Sequence, residues 1–264
     1  MKPSGLISLT TDFGGGGGVM RGVIWGIAPH AQVADLTHTI EPQNFRMAAW
    51  YLSRQAFYYP EGSVHVAVVD PGVGTSRRPL AVQAGPQFFV GPDNGLFTPF
   101  YEMAEENGWP LKVVHLDKSE YWLPKVSVVF HGRDIFSPVA AHLARGVPIE
   151  DLGTPVADPV RVPFPRPQRQ EGELRGEVIL LYRHLGNIIT NIDRQHLNGI
   201  PPESVTVQLG ATRINRLSRT FGEHQPGDLI ALFGSNDELM ISVVNDSAIA
   251  RLNPSIGDEV VLRF

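Results

Sequence analysis

An N-terminal α/β domain with a mainly parallel sheet, followed by a C-terminal all-β, barrel-like domain, is the fold this sequence predicts. Three observations lead there. Up to Gly146, apolar strand-like runs alternate with segments of helical period, the pattern of a sheet covered by helices. A stretch carrying Pro159, Pro163, Pro165 and Pro167 then has little apolar periodicity and reads as a linker. Beyond it come short β-type runs separated by turn residues. The resulting division is a catalytic α/β domain at 1–160, a linker at 161–173 and a β-barrel domain at 174–264.

The elements follow in order. "LISLTTDF" reads as a buried strand ending in Asp12, "VMRGVIWGIAP" as a helix stopped by Pro29, and "AQVADLT" as a second strand. Phe45, Ala48, Ala49, Leu52 and Ala56 recur at helical spacing and give the next helix an apolar face. "SVHVAVVD" is a strand with Asp70 at its C-terminal end. "LAVQA" and "QFFVG" straddle a Gly-Pro turn and predict a hairpin. "FTPFYEMAEENG" is helical, "LKVVHL" a strand, and "FSPVAAHLARG" a helix. In the second domain "EVILLYR", "NIITNI", "SVTVQLG", "LIALFG", "ELMISVV" and "EVVLRF" are the strands.

Composition narrows the function. The chain has 264 residues, 42% of them hydrophobic, a formal charge of -5 and no cysteine. A mild acidic balance argues against a nucleic-acid or anionic-membrane binder, which needs a concentrated basic face. Without cysteine there are no disulfides, thiolate metal sites or thiol nucleophiles. The N-terminus lacks the basic start and apolar stretch of a signal peptide, and no apolar run approaches the ~20 residues that span a bilayer. The expectation is a soluble cytoplasmic protein.

Ligands of α/β domains gather outside the carboxyl ends of the strands. Four polar signatures are assigned to such ends: Asp12 in "TTDFG", Asp70 in "VVDPGVG", Asp93 and Asn94 in "VGPDNG", and His131, Arg133 and Asp134 in "VVFHGRD". Any one of them alone is an ordinary turn former; four in one domain point to a site. "DPGVGTSRR" lacks the Gly-Lys-Ser/Thr ending of a phosphate loop, and the run Gly14 to Gly18 contains a dinucleotide-type spacing only because any glycine run does. That run is either a flexible surface loop or a backbone approaching a ligand beside Asp12. No His-x-x-x-His or Asp-x-His pair sets two ligands on one metal. Arg77, seven residues past Asp70 across a glycine turn, is placed to fold back into a bidentate Asp–Arg pair.

In this order and spacing, "TTDFG", "VVDPGVGTSRR", "GPDNGL", "FHGRDIFSPVAAHLA" and "LGNIITNI" resemble the S-adenosylmethionine hydroxide adenosyltransferases. These are adenosine-forming S-adenosylmethionine hydrolases related to the fluorinase and chlorinase enzymes. The resemblance covers nearly the whole chain. It implies a homotrimer with sites between the N-domain of one subunit and the C-domain of the next. It also implies attack of water or hydroxide at ribose C5′, releasing adenosine and L-methionine. S-adenosyl-L-methionine is then the substrate, and neither a cofactor nor a metal is implied. Asp70, Arg77 and His131 match the hydroxide-handling triad. Asp12 matches the acid on the ribose hydroxyls, and Asn187 a residue meeting the amino-acid portion or the nucleoside. Phe221 matches an aromatic lying against adenine, and Ser235 and the backbone near Val243 match the adenine pocket. For Phe221 and Val243, ordinary barrel core is the competing reading.

The chemistry suits those residue types. A cationic Arg77 stabilises hydroxide, His131 accepts a proton near neutrality, and Asp70 orients the arginine or the imidazole. The chain departs from the family pattern at the glycine-filled loop, at Tyr182 and Arg183 and at Met240, where acidic residues are usual. Two alternatives therefore stand beside hydrolysis of S-adenosylmethionine: a non-catalytic S-adenosylmethionine or adenosine binder, and a hydrolase of another 5′-substituted adenosine. A halogenase is disfavoured, because Asp70 and His131 would crowd and repel a halide.

Overall fold

A computed structural model describes residues 1–264, which form two compact units, Met1–Pro163 and Phe164–Phe264. The first unit runs β1 (Leu6–Thr11), α1 (Gly18–Ile27), β2 (Gln32–Thr37), α2 (Phe45–Gln55), β3 (Val64–Val68), β4 (Pro79–Ala84), β5 (Gln87–Pro92), α3 (Thr98–Asn107), β6 (Leu111–His115), α4 (Ser137–Ala144) and β7 (Thr154–Pro155). Its sheet has the order β2-β1-β3-β5-β4-β6-β7. Strands β2, β1, β3, β5 and β6 run one way, and β4 and β7 run against them.

Burial explains the layering. Every residue of β3 is buried, and all of β1 after Leu6, as expected of central parallel strands covered on both faces. The edge strand β2 carries polar Gln32, Asp35 and Thr37 instead. Met20 and Ile24 of α1 join Val139, Ala140 and Leu143 of α4 over Ile7, Leu9, Val64, Val66 and Val68 on one face. The alternation of β3 turns His65 and Ala67 to the other face, where the tilted rings of Phe89 and Phe100 meet with centroids 3.9 Å apart. In α2 the residues Ala48, Ala49 and Leu52 are buried as their spacing predicts, as is Ala56 just past its end; Met47 is buried as well, while Phe45 is only half-buried. Asn44 caps this helix, its side chain accepting from the Met47 amide at 2.9 Å.

One expected strand is absent. "VVF" before His131 is a loop, with Val128 and Val129 each 72% exposed, so His131 does not stand at a strand end. The backbone there is claimed locally: the Ser127 amide donates to the buried Asp134 carboxylate at 2.7 Å. No helix of the structure is long and apolar enough to cross a membrane.

The second unit contains β8 (Gln168–Gln170), β9 (Glu173–Tyr182), β10 (Asn187–Asp193), β11 (Thr206–Leu209), β12 (Thr212–Ile214), β13 (Leu229–Phe233), β14 (Glu238–Val243), α5 (Ala248–Leu252) and β15 (Glu259–Arg263). Their order is β12-β11-β15-β9-β10-β14-β13, all antiparallel, and a bridge between Leu217 and Ala231 nearly closes the barrel. The long β9 serves two neighbours, pairing with β15 through its first half and with β10 through its second. Gly176 lies at the crossover, where a Cβ would fall 2.4 Å from Asn191 Oδ1. β8, β12 and α5 are not anticipated by the sequence reading, and β8 lies within the segment read as linker.

His65 couples this fold to pH. It is fully buried, bonded to Ser8 Oγ through Nδ1 at 2.7 Å, and burial pushes its pKa down to about 4. The unfolded chain takes up this proton near pH 6.5 and the folded chain only near 4, so this contribution to stability is full above pH 6.5 and declines on acidification. Between pH 7 and 5 the loss should be about 2 kcal/mol. Urea unfolding of the wild type and of His65→Asn at both pH values measures it, with a flatter dependence expected in the variant.

Candidate active site

β1 is flanked by β2 on one side and β3 on the other, and the chain leaves β1 and β3 in opposite directions. This is a topological switch point, where the diverging loops open a crevice. The parallel register sets Thr11 opposite Val68, so Asp12 and Asp70 follow adjacent strand ends.

The loop after β3 reverses tightly. The Val73 amide donates to the Asp70 carbonyl at 3.3 Å, and the Thr75 amide and hydroxyl donate to the Gly72 carbonyl at 3.2 and 2.6 Å. Gly74 has φ +76°, and a Cβ there would lie 2.3 Å from the Val128 carbonyl oxygen. Glycine is required at this point by chain direction and by close packing together. The reversal brings Arg77 back over the strand end. Its Nε donates to Asp70 Oδ1 at 3.1 Å and its Nη2 to Asp70 Oδ2, a bidentate pair. Asn94, beyond β5, donates from Nδ2 to the Val69 carbonyl at 2.9 Å and holds the strand end that carries Asp70.

His131 arrives from another segment. It precedes a wide, five-residue-spaced helical turn, Gly132–Phe136, that leads into α4; such turns recur at functional sites. The Ser137 amide and hydroxyl both donate to the Gly132 carbonyl and set the turn. Gly132 packs so closely that a Cβ would sit 3.2 Å from the Phe13 ring. Arg77 Nη2 lies 3.1 Å from His131 Nδ1. Because the guanidinium can only donate, Nδ1 accepts, and the proton of the neutral ring resides on Nε2. Burial, then the Arg77 cation, lowers the His131 pKa; Asp70 and Asp134 oppose this more weakly.

Arg77 and Asp70 side chains are 7% and 5% exposed. The arginine also lies over the Phe136 ring, 5.4 Å from its centroid. Its Nη1 is buried and has no protein partner. The cluster is a desolvated cation with two groups fixing its orientation and one donor uncommitted. It can hold a small anionic oxygen species.

Two neighbouring acids serve structure. Asp93 accepts from Arg78 Nε at 2.8 Å and from the Val160 amide at 2.7 Å, while Arg78 reaches Asp158 at 2.8 Å. Asp134 is buried, which works against its charge, but Arg133 and the Ser127 amide outweigh burial and hold its carboxyl below the usual range. Asp12 accepts from the Gln43 amide at 2.8 Å.

Asn187, Phe221, Ser235 and Val243 lie in the second unit. Asn187 is buried at the start of β10, next to the β14 end that carries Val243. Val243 is part of the barrel core, so its side chain is committed and only backbone remains for a ligand. Phe221 opens a short helical turn and is 39% exposed. Ser235 sits in the turn before β14, at the other end of that strand from Val243. Phe136 and the supporting role of Asn94 escape sequence reasoning, though the Asp-Asn-Gly turn is its visible signal.

The chain matches the model for the SAM hydroxide adenosyltransferase N-terminal domain over residues 7–153 and that for the C-terminal domain over 176–261. It is 36% identical over 266 residues to the (R)-S-adenosyl-L-methionine hydrolase of Salinispora tropica, covering 98% of both chains. With the enzyme of that name from Thermus thermophilus it shares 39% identity over 239 residues, 87% of each. The crystal structure of an uncharacterized conserved protein from Thermotoga maritima superposes with a TM-score of 0.88 at 33% identity, covering 98% of this chain and all of that one. The agreement extends through both units, and the chain belongs to the SAM hydroxide adenosyltransferase family.

Proposed function

We infer that this protein is an adenosine-forming hydrolase that cleaves S-adenosyl-L-methionine to adenosine and L-methionine. The observation that carries the residue assignment is the buried Arg77 guanidinium, clamped by Asp70 and His131 with Nη1 uncommitted. In this reading a hydroxide from solvent rests on Nη1. Its oxygen forms the bond to C5′ of the ribose while the C5′–S bond breaks, and the electron pair passes to sulfur. The sulfonium leaves as the neutral thioether of methionine, so no acid is needed on the leaving side.

Asp70 fixes the guanidinium plane. His131 acts as a neutral group: its Nδ1 lone pair is engaged by Arg77, which leaves Nε2–H to donate to the hydroxide. In this reading the site retains a preformed hydroxide, in place of proton uptake by His131. Asp12 binds the ribose hydroxyls, and Asn187, Phe221, Ser235 and the backbone at Val243 bind the rest of the nucleoside and the amino acid. The active assembly is a homotrimer with intersubunit sites, a reading supported by the exposed apolar residues Phe13, Val128 and Val129 beside the Arg77 and His131 loops. Light scattering on the eluting protein should give three times the chain mass; a monomeric mass with full activity refutes the trimer.

Incubation with S-adenosyl-L-methionine in oxygen-18 water tests the reaction, with labelled adenosine and equimolar methionine expected. Bound but unconverted substrate would instead make the protein a binder, and turnover of a different 5′-substituted adenosine alone would change the substrate.

Arg77→Gln should lower kcat by roughly 10²–10³, the usual loss on removing one preorganised electrostatic donor. The same change strands the buried Asp70 carboxylate, at about 3–5 kcal/mol of stability. Asp70→Asn combined with Arg77→Gln should recover part of that stability without recovering activity, measured by urea unfolding and by product formation.

Protonating His131 turns Nδ1 into a donor facing Arg77 and breaks the cluster. Because the His131 pKa is lowered, activity should persist below the ordinary histidine value of about 6.5 and fall only on further acidification. The pH profile of kcat/KM measures this limb.

A further inference from the structure

The sequence of the glycine loop leaves open whether it is a flexible surface segment, and its geometry answers through a residue outside the triad. His38 follows β2 and is 8% exposed. Its Nε2 lies 3.0 Å from the Gly17 amide, which can only donate, so Nε2 accepts. Its Nδ1 is 2.8 Å from Thr11 Oγ1 and donates to it, and that hydroxyl also accepts from the Phe13 amide at 3.3 Å. The His38 carbonyl accepts from the Gly14 amide at 2.8 Å. One residue thus holds the loop at both ends.

A second observation is steric. A Cβ on Gly17 would fall 2.7 Å from His38 Cε1 and 2.8 Å from Leu9 Cδ1, so Gly17 is a packing glycine pressed against the imidazole. Asp35 Oδ1 also stands 3.1 Å from Nε2, and Arg21 holds that carboxylate through its other oxygen. The segment that carries His38 also delivers the Gln43 amide to Asp12 Oδ2, and the Ile40 amide to the Thr11 carbonyl at 3.3 Å.

We propose that His38 is a positioning residue that preorganises the glycine loop and, with it, the Asp12 end of the substrate site. Its kinetic consequence rests on the proposed hydrolase reading; its structural consequence does not. The loop holds its form before substrate arrives, so the ordering cost is met on folding and substrate binding is correspondingly tighter. Loss of the imidazole therefore raises KM and leaves the Arg77 cluster, and kcat, in place.

The test uses the ligand-free full chain and two variants, His38→Ala and His38→Gln; the glutamine oxygen reaches the position of Nε2 and restores an acceptor. Amide hydrogen exchange is followed at Gly14 and Gly17, with Val66 of β3 as the control for global folding. In His38→Ala, Gly17 should exchange about 10- to 100-fold faster, the factor expected for one lost hydrogen bond to a buried group, with Val66 unchanged. In His38→Gln its rate should return toward the wild-type value. With S-adenosyl-L-methionine, KM should rise about tenfold in His38→Ala at a kcat within about twofold of wild type, and glutamine should restore it.

Unchanged Gly17 exchange in His38→Ala overturns the proposal, as does a loss confined to kcat. Should the alanine variant unfold, as faster exchange at Val66 would reveal, His38→Gln decides: protection at Gly17 sustains the proposal and its loss overturns it. If the wild-type protein does not hydrolyse S-adenosyl-L-methionine, the functional reading fails, while the exchange ratio still judges the role of His38.

Discussion

The buried Arg77 guanidinium is the constraint on which the surrounding structure depends. A fixed cation at 7% exposure needs its charge met and most of its donors occupied. Asp70 supplies the charge, His131 Nδ1 accepts a further hydrogen bond, and Phe136 closes one face. Asp70 arrives on the loop after β3, His131 and Phe136 on the turn before α4, and both stretches are bent to deliver them. Gly74 lets the loop after β3 lie on the Val128 carbonyl, and Gly132 lets the turn before α4 press against Phe13 and Val68. The glycines of these loops serve packing between two segments.

Three Asp–Arg pairs surround the crevice with different duties. Arg78 with Asp93 ties the end of β5 to the chain at Asp158 and Val160, and Arg133 with Asp134 ties down the Ser127 loop. In both, every carboxylate oxygen is engaged by structure. Arg77 with Asp70 differs in having one buried nitrogen without a partner. That asymmetry separates a candidate reactive group from a clamp, and net charge or residue type does not reveal it. The clamps hold the segments on either side of the reactive pair, so rigidity at the centre is built from its neighbours.

The barrel unit meets its task differently. Its core takes the Val243 side chain, and the glycine corner at Gly176 lets β9 serve two neighbouring strands. Outside that core lie the exposed ring of Phe221, the turn at Ser235 and the buried Asn187 at the start of β10. A flat aromatic surface and backbone polar groups suit a nucleoside base, which offers a π face and edge hydrogen-bonding groups.

The sequence by itself determined the alternation of strands and helices, because apolar spacing of two or near 3.6 residues reports which face is buried. It also determined the Asp70–Arg77 pairing, since a short glycine turn leaves few places for an arginine seven residues on. It misread "VVF" before His131 as a strand: β-branched residues favour strands on average, but here the Ser127 amide is taken by Asp134 and the two valines face solvent. Which strand-end acid is a clamp, which nitrogen of Arg77 is uncommitted, and that His38 governs a glycine run more than twenty residues earlier were decided by tertiary structure alone. Hydrogen-bond saturation depends on groups brought together from distant positions, and no local pattern of residue types carries that information.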